Sequence, residues 1–122
     1  MLASGITTVG EFHYWHHPFA RSPDSDPSEL YQYDKLILKA AKLAGIRICL
    51  LETYYEQAGL KSDMKLVEAQ KHFLVKNDKE FWKNIDSLEL ESFTQTVGVA
   101  VHSIRAVSLE NIKKLHTEAE QR

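Results

Sequence analysis

Gly5-Ile-Thr-Thr-Val-Gly-Glu-Phe-His-Tyr-Trp-His-His17 runs β-branched and aromatic residues straight into a tyrosine and three histidines. That composition predicts a β-strand over residues 6–14. It delivers polar, ionisable side chains to the strand's C-terminal end, where α/β folds hold their ligands. Thr96-Val-Gly-Val-Ala-Val-His-Ser-Ile-Arg-Ala-Val107 repeats the design, with a strand over 97–102 that closes in His102 and Arg105. Between them, Ile46-Arg-Ile-Cys-Leu-Leu51 is a nearly continuous apolar run, the pattern of a parallel strand covered on both faces.

The segments linking these strands read as helical. A loop from His16 to Ser25, broken by Pro18 and Pro23, leads to Asp26-Pro-Ser-Glu29. There a cap, a proline at the first helical position and a capping-box glutamate predict a helix over 28–44. Its stripe reads Tyr33, Leu36, Ile37, Ala40, Ala41 and Ala44, and Gly45 stands at the C-terminal cap. Glu52 to Ser62 reads as a loop whose Tyr54, Tyr55, Glu56 and Gln57 can line a pocket. Asp63 opens a helical stretch with Leu66, Val67, Gln70, Phe73 and Leu74 inward. Asp78 opens another over 79–91, with Phe81, Trp82, Ile85 and Leu88 inward. Ser108 opens a last helix over 108–119 with Leu109, Ile112 and Leu115 inward. Strand alternating with helix predicts an α/β fold of parallel strand–helix units. Without repeats, low-complexity segments or an internal linker, residues 1–122 read as a single domain. A complete (β/α)8 barrel takes about 250 residues, so the expected architecture is part of one.

Composition narrows the function classes. A net charge of -2 leaves no electrostatic footprint for nucleic acid or an anionic membrane. No apolar run approaches the roughly 20 residues of a membrane span, and Met-Leu-Ala-Ser-Gly at the start lacks a signal-peptide pattern. One cysteine, Cys49, excludes an internal disulfide and fits a reducing compartment as a buried structural thiol. The expected location is cytoplasmic.

The order of Gly5–His17, Ala44-Gly-Ile-Arg, Leu50-Leu51 with Tyr54, Ala58-Gly59, Gln70-Lys-His-Phe73 and Val101–Val107 resembles the formimidoylglutamate deiminase family of the amidohydrolase superfamily. The most specific pieces are Glu11-Phe-His-Tyr-Trp-His-His17 and His102-Ser-Ile-Arg-Ala106. The resemblance covers nearly the whole chain and implies the second, third and fourth strand–helix units of a (β/α)8 TIM barrel. It implies a zinc-dependent, homo-oligomeric hydrolase of histidine degradation that releases ammonia from a C=N bond. The family's zinc ligands and catalytic glutamate lie on strands this chain does not match. No metal is therefore expected here, and the isolated chain is expected to be inactive. What matches is the side that holds a small-molecule carboxylate substrate, at Tyr14, His102 and Arg105. A guanidinium offers a carboxylate two parallel N–H donors, and a tyrosine or histidine adds a third bond. Glu52 stands where relatives usually carry proline and Leu60 where they carry phenylalanine, so the loop between them is expected to differ.

Each of these residues also has a plainer reading. On spacing alone His102 and Arg105 suit surface or helix-capping groups equally well. Alternation along a strand turns His13 away from Phe12 and Tyr14, and the neighbours His16 and His17 are expected to diverge. The three are therefore read as loop-tip groups facing substrate or solvent rather than as a metal site. Glu11 is open to a chemical role or to pairing with a neighbouring base. Tyr54, Tyr55, Phe81 and Trp82 read as packing residues, with only Tyr54 near the active-site face, while His72 and His116 read as solvated helix positions. The alternative to a deiminase segment is a non-catalytic α/β domain that binds a small carboxylate or completes a barrel with another chain.

Overall fold

In the computed structural model, β1 (Thr8–His13), β2 (Arg47–Tyr54) and β3 (Gln95–Val101) form one parallel sheet in the order β1-β2-β3. All residues are described except Pro23, Ser62 and Ser92, so the expected loop break at Pro23 and loop end at Ser62 lie outside the described residues. The register runs from Thr8↔Arg47 to His13↔Glu52, and from Ile48↔Gln95 to Tyr54↔Val101. β2 therefore continues through Glu52, Thr53 and Tyr54, which sequence assigns to a loop. Their polar character suggests a turn, but the strands on either side supply ladder partners that no local pattern reveals.

A helix follows each strand: α1 (Gln32–Ala44), α2 (Asp78–Asp86) and α3 (Leu109–Gln121). All three pack on one face of the sheet. Leu38 and Ala41 of α1 meet Ile46, Ile48 and Leu50 in one cluster, while Phe81, Trp82 and Leu115 meet Tyr54, Val75 and Val107 in the other. Sequential strand order with helices on one side is a barrel arrangement; a doubly wound sheet would carry helices on both. The opposite face holds half-buried Leu51 and Cys49 and exposed Phe12. This corrects the expectations of strands covered on both sides and of a buried thiol at Cys49, because the packed helices all lie on the other face.

α1 begins later than the capping signal implies. Asp26 accepts from the Ser28 N–H at 2.8 Å and caps a 3-10 turn (Pro27–Glu29) instead. Tyr31 then adopts φ 57°, a left-handed conformation that interrupts helical hydrogen bonding. Its N–H goes to His17 Nδ1 at 3.1 Å and its hydroxyl donates to Glu80 at 2.9 Å, which holds the unusual backbone in place. The helix turns Asp34, Leu38 and Ala41 inward, while Leu36 is 51% exposed. The expected stripe is thus rotated, because an acidic residue occupies an inward position that apolar periodicity assigns to solvent. Gly45 takes φ 72° and closes the helix as expected.

The stretch after Asp63 is only a 3-10 turn, Glu68–His72. Asn77 rather than Asp78 caps α2, accepting from the Glu80 N–H at 2.9 Å. That helix stops at Asp86, since Ser87 donates through its backbone and hydroxyl to Asn84 O. Ser108 caps α3 and Leu115 is buried as expected, but Leu109 in the first turn is exposed.

Candidate functional site

The C-terminal edge of the sheet collects the side chains that immediately follow β1 and β3. Tyr14 and His102 meet edge to face, with ring centroids 5.2 Å apart. Phe73 stands against Tyr14 at 5.1 Å, and Tyr55 against His102 at 4.9 Å. His102 is anchored through its backbone N–H to Tyr54 O at 3.0 Å. Its Nδ1 is shielded from solvent and has no hydrogen-bond partner among the described residues. Burial, and then the positive charge of Arg105, lower the His102 pKa, so the ring is neutral near pH 7.

His102 and Arg105 line an open cleft of about 780 Å³ together with Tyr55, Gln70, Lys61 and Ser103. The Arg105 backbone is fixed by Ser103 Oγ, which accepts its N–H at 3.3 Å, and by Gln57, which donates to its carbonyl at 3.2 Å. Tyr14 stands behind His102 in the aromatic wall. Tyr55, rather than Tyr54, is the tyrosine at this cleft. The extension of β2 turns Tyr54 toward the helices, where it meets Phe81 at 5.2 Å. Glu56 lines a separate pocket with Gln57 and Glu80, and its carboxylate caps the start of α3 by accepting from Ser108 N–H at 2.6 Å and Asn111 Nδ2 at 2.5 Å.

The histidines of the opening motif are inside the protein. His16 and His17 are 0% exposed and His13 is 6% exposed, which corrects the expectation of loop-tip positions. Backbone and acidic partners account for this. His16 Nε2 lies 2.9 Å from Thr53 O, and His17 Nε2 lies 3.0 Å from Leu74 O. His13 Nε2 and His16 Nδ1 approach the same atom, Asp34 Oδ1, at 2.9 and 3.0 Å, so these two converge instead of diverging. Asn84 donates to Asp34 Oδ2 at 2.7 Å. Burial alone would raise the Asp34 carboxyl, but the hydrogen bonds from His13 and His16 outweigh it and hold it well below the usual carboxylate range. Burial, reinforced by the neighbouring Asp34 charge, pushes Glu52 up to about 10. His17, buried and accepting the Tyr31 N–H, is pushed down to about 4, mainly by burial. His72 also departs from its solvated reading, with Nδ1 3.2 Å from His17 O, whereas His116 is exposed. Glu11 is exposed and takes part in no ion pair among the described residues.

Sequence reasoning passed over Asp34, Glu52 and Asn84. The available signal was weak: Asp34 shares a helical face with Leu38 and Ala41, a position where an acid is rare unless something inside requires it.

Among the described residues, His13, His16 and Asp34 are the one group of His, Cys, Asp and Glu side chains that converges closely enough for an ion. A catalytic zinc keeps an open position for water or substrate. These side chains are sealed from solvent and lie behind the sheet from the cleft, so they do not fit a catalytic metal. No described helix is long and apolar enough to cross a membrane.

Comparison with known proteins accords with this geometry. The Amidohydrolase family matches residues 1–122. The chain is 34% identical over 114 residues to the formimidoylglutamate deiminase of Pseudomonas aeruginosa, covering 92% of this chain and 24% of that protein. The crystal structure of an amidohydrolase from Brucella melitensis superposes with a TM-score of 0.69 at 31% identity, over 94% of this chain and 25% of that one. The chain thus spans about a quarter of the length of the relatives it matches.

Proposed function

The chain belongs to the amidohydrolase family, and from that premise we propose that it is the substrate-carboxylate side of a formimidoylglutamate deiminase-type enzyme. The observation that carries the reading is the cleft in which Arg105 stands beside His102, with Tyr14 packed against the imidazole. An exposed guanidinium on a braced backbone beside a neutral ring suits a carboxylate: the Arg105 N–H groups take its charge, and a ring N–H of His102 adds a further bond. The similarity to the Pseudomonas aeruginosa deiminase supports a glutamate-like substrate.

The reaction of the assembled enzyme is hydrolysis of a C=N bond in histidine degradation, in the cytoplasm, with zinc held by residues outside this chain. Within it, residues 1–122 form part of one barrel domain. The uncovered sheet face, with exposed Phe12, fits the interior of a barrel completed by further strands. The role of this chain's own residues is to bind and orient the substrate, and positioning of that kind raises rate only when the reacting group is supplied as well.

Titrating the chain with N-formyl-L-glutamate while following the His102 ring by NMR tests the reading. A carboxylate seated at Arg105 brings negative charge toward His102, so the His102 pKa should rise on binding. A ligand that binds without moving His102, or no saturable binding at millimolar concentration, would overturn the assignment.

A further inference from the structure

The buried cluster behind the sheet offers more ligands than a hydrogen-bond network requires. We propose that His13, His16, Asp34 and Glu52 form a closed structural site for a divalent transition-metal ion of the zinc class. The proposal is independent of the carboxylate cleft and concerns different side chains.

Proton placement is the first argument. His16 Nε2 faces the Thr53 carbonyl at 2.9 Å, and a carbonyl only accepts, so Nε2 carries the hydrogen. The other ring nitrogen, Nδ1, points at Asp34 Oδ1, 3.0 Å away, and at Glu52 Oε2, 3.5 Å away. One hydrogen on Nδ1 serves one of those oxygens, whereas a cation in the same place would bind the ring and both carboxyl groups at once.

Glu52 is the second argument. It is 0% exposed, and neither carboxylate oxygen has a hydrogen-bond partner among the described residues. A hydrogen bond from His16 to Asp34 still leaves Glu52 without a partner. A buried carboxyl group whose oxygens go unpartnered is costly to a fold. Two imidazole nitrogens and two carboxyl groups, deprotonated as the ion binds, would supply the ligands of one divalent ion, and imidazole nitrogens favour zinc-class ions over calcium or magnesium.

Geometry is the third. The donor atoms of His13, His16 and Asp34 lie within 4.8 Å of one another, and the close contacts are 2.9, 3.0 and 3.5 Å. A tetrahedral ion with bonds of about 2.0–2.1 Å separates its ligands by about 3.3 Å, which small side-chain shifts accommodate. Outer contacts of the kind that orient metal ligands are already present. Thr53 O receives the far side of His16, and Asn84 donates to the free oxygen of Asp34 at 2.7 Å. Burial on all sides leaves no place for substrate, so the ion's role would be to tie β1, β2 and α1 together.

The test uses the 122-residue chain stripped by a chelator and titrated with cobalt(II) and then zinc. Cobalt should saturate at one equivalent with the intense visible bands of four-coordinate geometry, zinc should displace it, and zinc should raise the melting temperature by several degrees. His16→Ala risks misfolding, so the decisive variant is Glu52→Gln, which keeps the volume. It should weaken metal binding about tenfold or more and reduce the melting gain accordingly. Absence of saturable cobalt bands in the wild-type chain would overturn the proposal. So would bands unchanged in both Glu52→Gln and Asp34→Asn, which would place the ion at exposed groups such as His116.

Discussion

Tyr14 and His102, carried at the ends of the two outer strands, stand edge to face with ring planes at 89° and centroids 5.2 Å apart. Neither ring reaches the other by local chain geometry. The parallel register brings them to one edge, and Phe73 and Tyr55 close the aromatic wall around them. The contact stiffens His102 from behind and leaves Arg105 to meet a ligand from the cleft.

Arg105→Ala should weaken N-formyl-L-glutamate binding by roughly 10–100-fold, since a bidentate, charge-assisted pair is lost. Arg105→Lys should recover only part of it, because an ammonium cannot reproduce the planar fork. Tyr14→Phe keeps the ring against His102 and should cost less than about threefold. Calorimetric titration measures all three, and equal affinity in Arg105→Ala and wild type would remove the clamp.

Asp34→Ala should destabilise the metal-free chain by about 3–5 kcal/mol, the usual consequence of removing one member of a buried charged network. The carboxylate accepts from Asn84 and stands within hydrogen-bond reach of His13 and His16, and alanine supplies no substitute. Urea unfolding followed by circular dichroism gives the value. A loss below about 1 kcal/mol would show that water or a rearranged Glu52 takes over the acceptor role.

Glu80 governs a separate acid sensitivity. Its carboxylate accepts from Arg21 and from the Tyr31 hydroxyl, and its pKa is lowered: burial opposes ionisation, but those hydrogen bonds outweigh it. A carboxyl whose folded pKa lies below its unfolded value stabilises the fold fully above the unfolded pKa, near 4.5. That contribution is lost as pH falls through the folded value. Glu80→Gln should therefore melt lower than wild type at pH 7, by about 1–2 kcal/mol of stability. The gap should narrow as pH falls below 4.5. A gap constant from pH 7 to pH 3 would refute the assignment.

What sequence could convey was set by how local each signal is. The strands, the Gly45 cap and the Ser108 cap rest on neighbouring residues, and these agree with the structure. Family and barrel-type fold were legible from ordered motifs, above all the histidine-rich end of β1. The inward turn of Asp34 was not, because its partners His13, His16 and Asn84 come from three distant segments. The same holds for Glu52, whose strand character depends on pairing with His13 and Val99. The loop-tip reading of His16 and His17, facing substrate or solvent, fails because sequence cannot display the carbonyls of Thr53 and Leu74 to which their rings bond.

Glu56 holds the start of α3, and its removal should free that helix. The carboxylate accepts from Ser108 N–H and Asn111 Nδ2, placing negative charge at the helix N-terminus, where it is favoured. The Glu56 and Gln57 N–H groups both donate to Ala106 O, at 2.9 and 3.0 Å, so the same residues brace the turn that carries Arg105. Glu56→Ala leaves the Ser108 hydroxyl to cap alone and should cost about 1–2 kcal/mol. Gln at this position should restore part of it, keeping an acceptor without the charge. Hydrogen exchange should show faster loss of protection in 109–121 than in β2 or α1, since α3 contacts the rest of the fold chiefly through Leu115 and Ile112. Carboxylate affinity should change little, since the backbone N–H groups at 56 and 57 still hold the Ala106 carbonyl. Uniform loss of protection across the chain would show instead that Glu56 stabilises the whole fold.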